Sequence, residues 1–140
     1  MLTKEEIQQI IPHRDPFLLI DEIHDLVPRL SATGIKLVSL TDFWVPGHFP
    51  VSPVMPGVLI VEALAQVGAV IILSAPEFKG KIAYFAGIEK ARFRRKVVPG
   101  DRLELHLEVT KMRGPFGYGE AVAKVNGEIV CETTCSFAIG

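Results

Sequence analysis

The chain has 140 residues, of which 49% are hydrophobic and 22% charged, and its net charge at pH 7 is −1. That length suits one domain with a substantial core. The balance excludes a disordered chain and argues against a general binder of nucleic acid or other polyanions.

The opening "MLTKEEIQQI" predicts a short helix, with Thr3 and Glu6 in capping-box spacing. It does not combine basic residues, an apolar core and a cleavage site, so the expected location is the cytoplasm. A turn, "PHRDP", follows. "FLLIDEIHDLV" predicts a strand and "SATGIKLVSL" a second strand paired with it. "TDFWVPGHFPVSPVMP" holds four prolines and predicts an irregular but ordered loop. Pro56 suits the first turn of a helix, which runs to about Ser74 and is ended by "APEFKG".

From Val58 to Leu73 the only polar side chains are Glu62 and Gln66. As a helix this stretch covers roughly 24 Å, short of a ~30 Å hydrocarbon core. It starts at a Pro-Gly pair and lacks basic flanks. A buried helix, apolar all round, is expected rather than a membrane span.

Beyond Lys81 the pattern is antiparallel sheet. "KIAYFAGIEKARFRRKVV" predicts one or two strands, and the "VPGD" turn follows. "DRLELHLEVTKM" alternates Leu103, Leu105, Leu107 and Val109 with Glu104, His106 and Glu108, a strand with one dry face. "GEAVAKV" and "EIVCETTCSFAI" are joined by Asn126-Gly127, a type I′ hairpin signal. Cys131 and Cys135, four apart on that strand, are separated by roughly 13 Å. That is too far for a disulfide, and nothing nearby completes a zinc site, so reduced structural cysteines are expected.

These elements make a single α+β domain over residues 1–140. A mostly antiparallel sheet of five or six strands wraps around one long buried helix. One sheet is expected to leave part of such a helix bare, so at least a homodimer is expected.

The chemistry concentrates in "GHFPVSPVMPGVLIVEALAQ". Glu62 and Gln66 share a helix face, so the amide can hold the carboxyl's rotamer. Burial should raise the pKa of Glu62 and keep it protonated as a proton donor. At the helix start, Gly57 lets another molecule approach the backbone. The N–H groups of Gly57, Val58 and Leu59 could hold a developing oxyanion. His48 is a candidate base. Together these groups suit removal of a proton beside a carbonyl with loss of a β-hydroxyl, chemistry that needs no metal or organic cofactor. The structural alternatives stay open: a loop histidine with no chemical role, and a Glu62 satisfied by Gln66 alone. Spacing does not show that His48 and Glu62 meet.

The same stretch resembles the signature of the (3R)-hydroxyacyl-acyl carrier protein dehydratases of bacterial type II fatty acid synthesis. "IPHRDPFLLID", "YFAGIEKARFRRKVVPGDRL" and the C-terminal strands extend the resemblance along nearly the whole chain. It implies a hotdog fold and a dimer, often a trimer of dimers, with active sites at the dimer interface. It implies His48 from one subunit and Glu62 from the other as the catalytic pair. Gly57 and Val58 would bind the thioester, and Gln66 would orient the acid. A glutamate at 62, where a related dehydratase-isomerase has aspartate, favours simple dehydration. "LTDFWVPGHF" departs from the family's usual Asn-Glu-Pro-Phe-Phe run, leaving the loop's packing and the chain-length preference open. The implied partner is acidic acyl carrier protein. Arg92, Arg94 and Lys96 on one strand face, and Arg95 on the other, would dock it, unless they are only a solvated, aggregation-resistant edge. His13 in "PHRDPF", His24 and His106 are read as structural. A hotdog-fold acyl thioesterase and a non-catalytic acyl-binding protein are the alternatives.

Overall fold

The computed structural model describes residues 1–49 and 51–140. Helix α1 (Lys4–Gln8) is short and held by its cap. Thr3 Oγ1 accepts from the Glu6 N–H at 3.3 Å, and Glu6 Oε1 accepts from the Thr3 N–H at 3.1 Å.

Strands β1 (Glu22–Val27), β2 (Ser31–Leu37), β3 (Ala83–Phe93), β4 (Arg102–Arg113), β5 (Phe116–Val125) and β6 (Glu128–Ile139) form one sheet. Their order is β1-β2-β4-β5-β6-β3, and every neighbouring pair is antiparallel. Between β5 and β6, Asn126 and Gly127 have φ of 52° and 80°, the positive pair that a type I′ turn needs. The two sheet edges differ. β1 is six residues long, bulged, and bridged by Leu2. β3 is eleven residues long, and its outer edge has no partner among the described residues.

Helix α2 (Gly57–Leu73) lies in the curl of the sheet and packs against all six strands. Only Gly57, Val58, Leu59 and Glu62 along it are not buried. The alternation of β4 supplies Leu103, Leu105 and Leu107 to the core, as its pattern dictates, and β5 and β6 add Ala123 and Phe137. This is the α+β hotdog architecture. Among the described residues no helix is long and apolar enough to cross a membrane. Cys131 and Cys135 are buried and free, and burial pushes both thiols up to about 11.

Three strand boundaries differ from the pattern-based expectation. Residues 17–21 do not join β1, although Leu18, Leu19 and Ile20 are buried. The Gln66 amide takes their backbone instead: Oε1 accepts from Leu19 N–H and Nε2 donates to Phe17 O, each at 2.8 Å. β2 stops at Leu37 because Asp42 Oδ2 accepts from the Ser39 N–H at 3.0 Å and turns the chain. β3 is one strand with two bulges and stops at Phe93. Past it, Val97 O accepts from the Met55 N–H at 2.7 Å, joining this segment to the loop before α2. Face alternation therefore does not carry through to Lys96. Pro56 caps α2 rather than entering its first turn.

Gly68 sets how closely α2 approaches the sheet. A Cβ there would lie 2.4 Å from Phe137 Cζ and 3.1 Å from Leu107 Cδ1. Gly68→Ala should therefore destabilise the fold by about 1–3 kcal/mol despite alanine's better helix propensity. Denaturant titration checks this; an unchanged midpoint would mean that the Phe137 ring has room to move.

Candidate active site

Apart from Arg92, the residues singled out from sequence fall into two separate cavities of one chain, both beside β3. The first has a volume of about 480 Å³ and is lined by His48, Val54, Met55, Gly57, Val58, Ile60, Phe93, Val97 and the basic run Arg94, Arg95 and Lys96. The second, about 40 Å³, is lined by Glu62, Gln66, His13, Ala65, Ala69, Ala83, Phe85 and Phe137.

His48 follows a 3₁₀ turn, Val45–Gly47, and precedes Phe49, whose φ of 53° is left-handed and strained for an aromatic residue. That turn folds the ring back so that Nδ1 lies 2.6 Å from Val54 O. A carbonyl oxygen only accepts, so Nδ1 carries the hydrogen. In the neutral ring the lone pair is then on Nε2, the arrangement a base requires.

Beside His48 is the N-terminus of α2. Pro56 O accepts from the Leu59 and Ile60 N–H groups at 3.0 and 3.2 Å. Leu59 is thus already engaged, contrary to the expectation of three free donors. The N–H groups of Gly57 and Val58 have no acceptor among the described residues and stand at the positive end of the helix dipole. A Cβ on Gly57 would come 2.7 Å from Phe93 Cε1, so the ring of β3 packs on bare backbone here. Val58 is 74% exposed.

Glu62 lies one turn further along the same helix face. Burial raises the pKa of its carboxyl, and the hydrogen bond from Gln66 opposes this more weakly. That bond is long, at 3.5 Å, because Gln66 spends its better geometry on Phe17 and Leu19. Gln66 is a tether for the 17–19 segment first and a neighbour of the acid second.

The structure also places His13 in the cavity of Glu62, which its reading as merely structural did not anticipate. Its pKa is lowered, mainly by burial and then by Arg14, and its Nδ1 is buried without a partner among the described residues. The one sequence signal was its place in "PHRDPF". His24 and His106 lie elsewhere, on exposed sheet, each beside a glutamate, Glu22 and Glu108.

The basic residues split into two kinds. Arg94 pairs with Glu132 at 2.5 Å, and Arg95 pairs with Glu128. Arg92 and Lys96 make no ion pair with the described residues. Arg92 and Arg94 line a shallow depression on the outer sheet face, while Arg94, Arg95 and Lys96 border the His48 cavity.

A sheet wrapped around one helix, with an acid on that helix and N–H donors without acceptors among the described residues at its start, defines a hotdog-fold protein. Residues 11–134 match the family model described as "FabA-like domain", and the chain belongs to the FabA-like family. It is 58% identical over 136 residues to the 3-hydroxyacyl-[acyl-carrier-protein] dehydratase FabZ of Clostridium novyi (strain NT), covering 97% of this chain and 96% of that one. It is 61% identical over 139 residues to the FabZ dehydratase of Clostridium botulinum (strain Loch Maree / Type A3), covering 99% and 96%. Among solved structures, the dehydratase heterocomplex ApeI:P from Xenorhabdus doucetiae shares the fold, with a TM-score of 0.81 at 16% identity over 96% of this chain and 90% of that one.

The raised pKa of Glu62 has a stability consequence. Between its ordinary value of 4.5 and the raised one, the folded state holds more protons than the unfolded state, so stability falls as pH rises through that window. Glutamine has no such loss. Glu62→Gln should melt above the parent at about pH 8, with the gap closing as pH falls toward 4.5. Melting curves across pH check this; a gap that is constant with pH would contradict the burial argument.

Proposed function

We propose that the chain is a 3-hydroxyacyl-[acyl-carrier-protein] dehydratase, acting in fatty acid biosynthesis on (3R)-3-hydroxyacyl groups and releasing the trans-2-enoyl product. Near-full-length identity of about 60% to FabZ dehydratases carries this reading. The site geometry supports a division of labour. His48 Nε2 takes the α-proton, and the Gly57 and Val58 N–H groups hold the thioester oxygen as charge develops on it. Glu62 protonates the β-hydroxyl, which departs as water. The Cα–H electrons form the Cα=Cβ bond as the Cβ–O bond breaks. The step is redox-neutral and leaves imidazolium and carboxylate, which reset by exchanging one proton with solvent.

Base and acid occupy different cavities of one chain, so a working site takes them from two chains. The edge strand β3 supports such a pairing. Its C-terminal residue Phe93 lines the His48 cavity, and Ala83 and Phe85 at the other end line the Glu62 cavity. Its unpaired edge exposes Tyr84, Ile88 and Phe93, an edge suited to pairing with another strand. Two-fold antiparallel pairing of β3 with its copy lays the Phe93 end against the partner's Ala83 end. His48 then faces Glu62 of the partner subunit. We place this homodimer in the cytoplasm and allow its further assembly into a trimer of dimers.

Acyl carrier protein is the partner. Its acidic surface suits the basic border of the His48 cavity, where Lys96 is not already paired to an acid among the described residues; Arg92, further along β3 and outside that cavity, is likewise unpaired. The apolar walls formed by Met55, Ile60, Phe93 and Val97 suit an acyl chain.

Product mass after incubation with 3-hydroxyacyl-carrier protein tests the reaction. Loss of water is expected; free acid would indicate a thioesterase, and unchanged substrate a binding protein. Glu62→Gln and His48→Ala should each lower kcat by about 10³-fold or more, and normal turnover in either removes that residue from its role. Co-expressing the two inactive chains should restore about one-quarter of parental activity, because half the dimers are mixed and each mixed dimer has one intact site. No recovery in mixed dimers, isolated by two different tags, would rule out the shared site.

A further inference from the structure

The cavity beside Glu62 is too small for an acyl chain. At about 40 Å³ it has room for water and little more. Its walls are apolar except for three groups: Glu62, Gln66 and His13. His13 Nδ1 is buried, with no hydrogen-bond partner among the described residues. The chain on either side of this ring is tied down. Arg14 donates to the carbonyls of Gln8, Ile11 and His13 at 2.9, 3.0 and 2.8 Å. On the other side Gln66 holds Phe17 and Leu19, and the Phe17 ring stacks on His13 at 6.3 Å between centroids. A fixed polar nitrogen in an otherwise greasy wall needs a partner from outside the chain's own hydrogen bonds.

The reaction supplies one at this spot. When the Glu62 proton reaches the β-hydroxyl and the Cβ–O bond breaks, a water molecule forms against the carboxylate. A buried water is stable with two to four polar partners. We propose that the small cavity receives the eliminated water, and that His13 is a further catalytic residue whose Nδ1–H donates to the departing oxygen. The inference rests on Glu62 being the proton donor. The Nδ1–H holds the oxygen in line with the Glu62 hydroxyl, and the water remains there, hydrogen-bonded to carboxylate and imidazole, until product leaves. The lowered pKa of His13, set mainly by burial and then by Arg14, favours the uncharged ring, which does not draw the proton off the carboxyl as an imidazolium would.

The test compares three variants of the full-length dimer. His13→Leu removes the donor. His13→Asn puts an amide nitrogen near the Nδ1 position, and His13→Gln puts it near Nε2. With 3-hydroxyacyl-carrier protein as substrate, His13→Leu should lower kcat about 10- to 100-fold with KM unchanged. His13→Asn should recover most of the loss and His13→Gln little of it. A crystal structure of the parent should show a water bridging His13 and Glu62. If His13→Leu keeps kcat within twofold, the inference fails. If His13→Leu does not fold, the Asn and Gln variants decide, and equal kcat for the two overturns it. Should Glu62→Gln turn over normally, the proton-donor assignment itself has failed; a dead Glu62→Gln beside an active His13→Leu sinks only the role of His13.

Discussion

Helix α2 is apolar around nearly its whole circumference, and a single six-stranded sheet does not close around it. Everything else in the fold answers that constraint. The remaining stripe runs through Val58, Glu62 and Gln66, four residues apart, and each position is handled differently. At Gln66 the chain's own 17–19 segment folds over the helix and is fixed by both ends of the amide. At Glu62 the closure is incomplete, leaving the small cavity. At Val58 the described residues leave most of the side chain exposed. The stripe thus grades from sealed to open toward the helix N-terminus, where unsatisfied N–H groups and the larger cavity lie. A substrate-sized opening arises where the chain runs out of material to cover its own helix.

Ionisation follows from the same geometry. Glu62 and His13 share one cavity, and burial moves their pKa values in opposite directions, up for the acid and down for the imidazole. Both shifts favour the neutral form over the charged one. His48 is handled by hydrogen bonding instead: Val54 O fixes its tautomer while the ring stays at the edge of a larger space. One histidine is tied by Nδ1 to a backbone carbonyl, and the other has a buried Nδ1 without a partner among the described residues in the cavity that an acid also lines. Composition does not separate them; the contacts of each ring do.

Much of this was legible because it is local. The capping box, the Asn126-Gly127 hairpin, the alternation of β4 and the extent of α2 each depend on residues a few positions apart, and each formed as its pattern dictates. The helix acid and the nearby histidine stood out as candidates for the same reason. What escaped depends on contacts across long stretches of chain. "FLLI" has the apolar run of a buried strand, but periodicity does not reveal that an amide 47 residues away takes its backbone. Likewise, nothing around His13 announces that the loop brings it to the cavity that Glu62 lines. The loss of Leu59 as a donor follows from the Pro56 carbonyl, whose direction a sequence does not give.

Strand β3 joins these themes. It carries one half-site at each end, so in the proposed dimer the separation of base from acid is set by the register of the two β3 strands. A slip of one residue would shift them by roughly 3.3 Å and turn every side chain to the opposite face. Proton transfer tolerates far less, since the groups must come within hydrogen-bond reach of one substrate. A flat, regular edge would leave that register weakly determined. The bulges between Phe85 and Gly87 and between Ile88 and Lys90 break the regularity near the middle of the strand. Bulged strands pair in few ways, because the extra residue on each must find room opposite the other. The irregularities that interrupt β3 within its own sheet are therefore the feature best placed to fix the geometry of a site built from two chains.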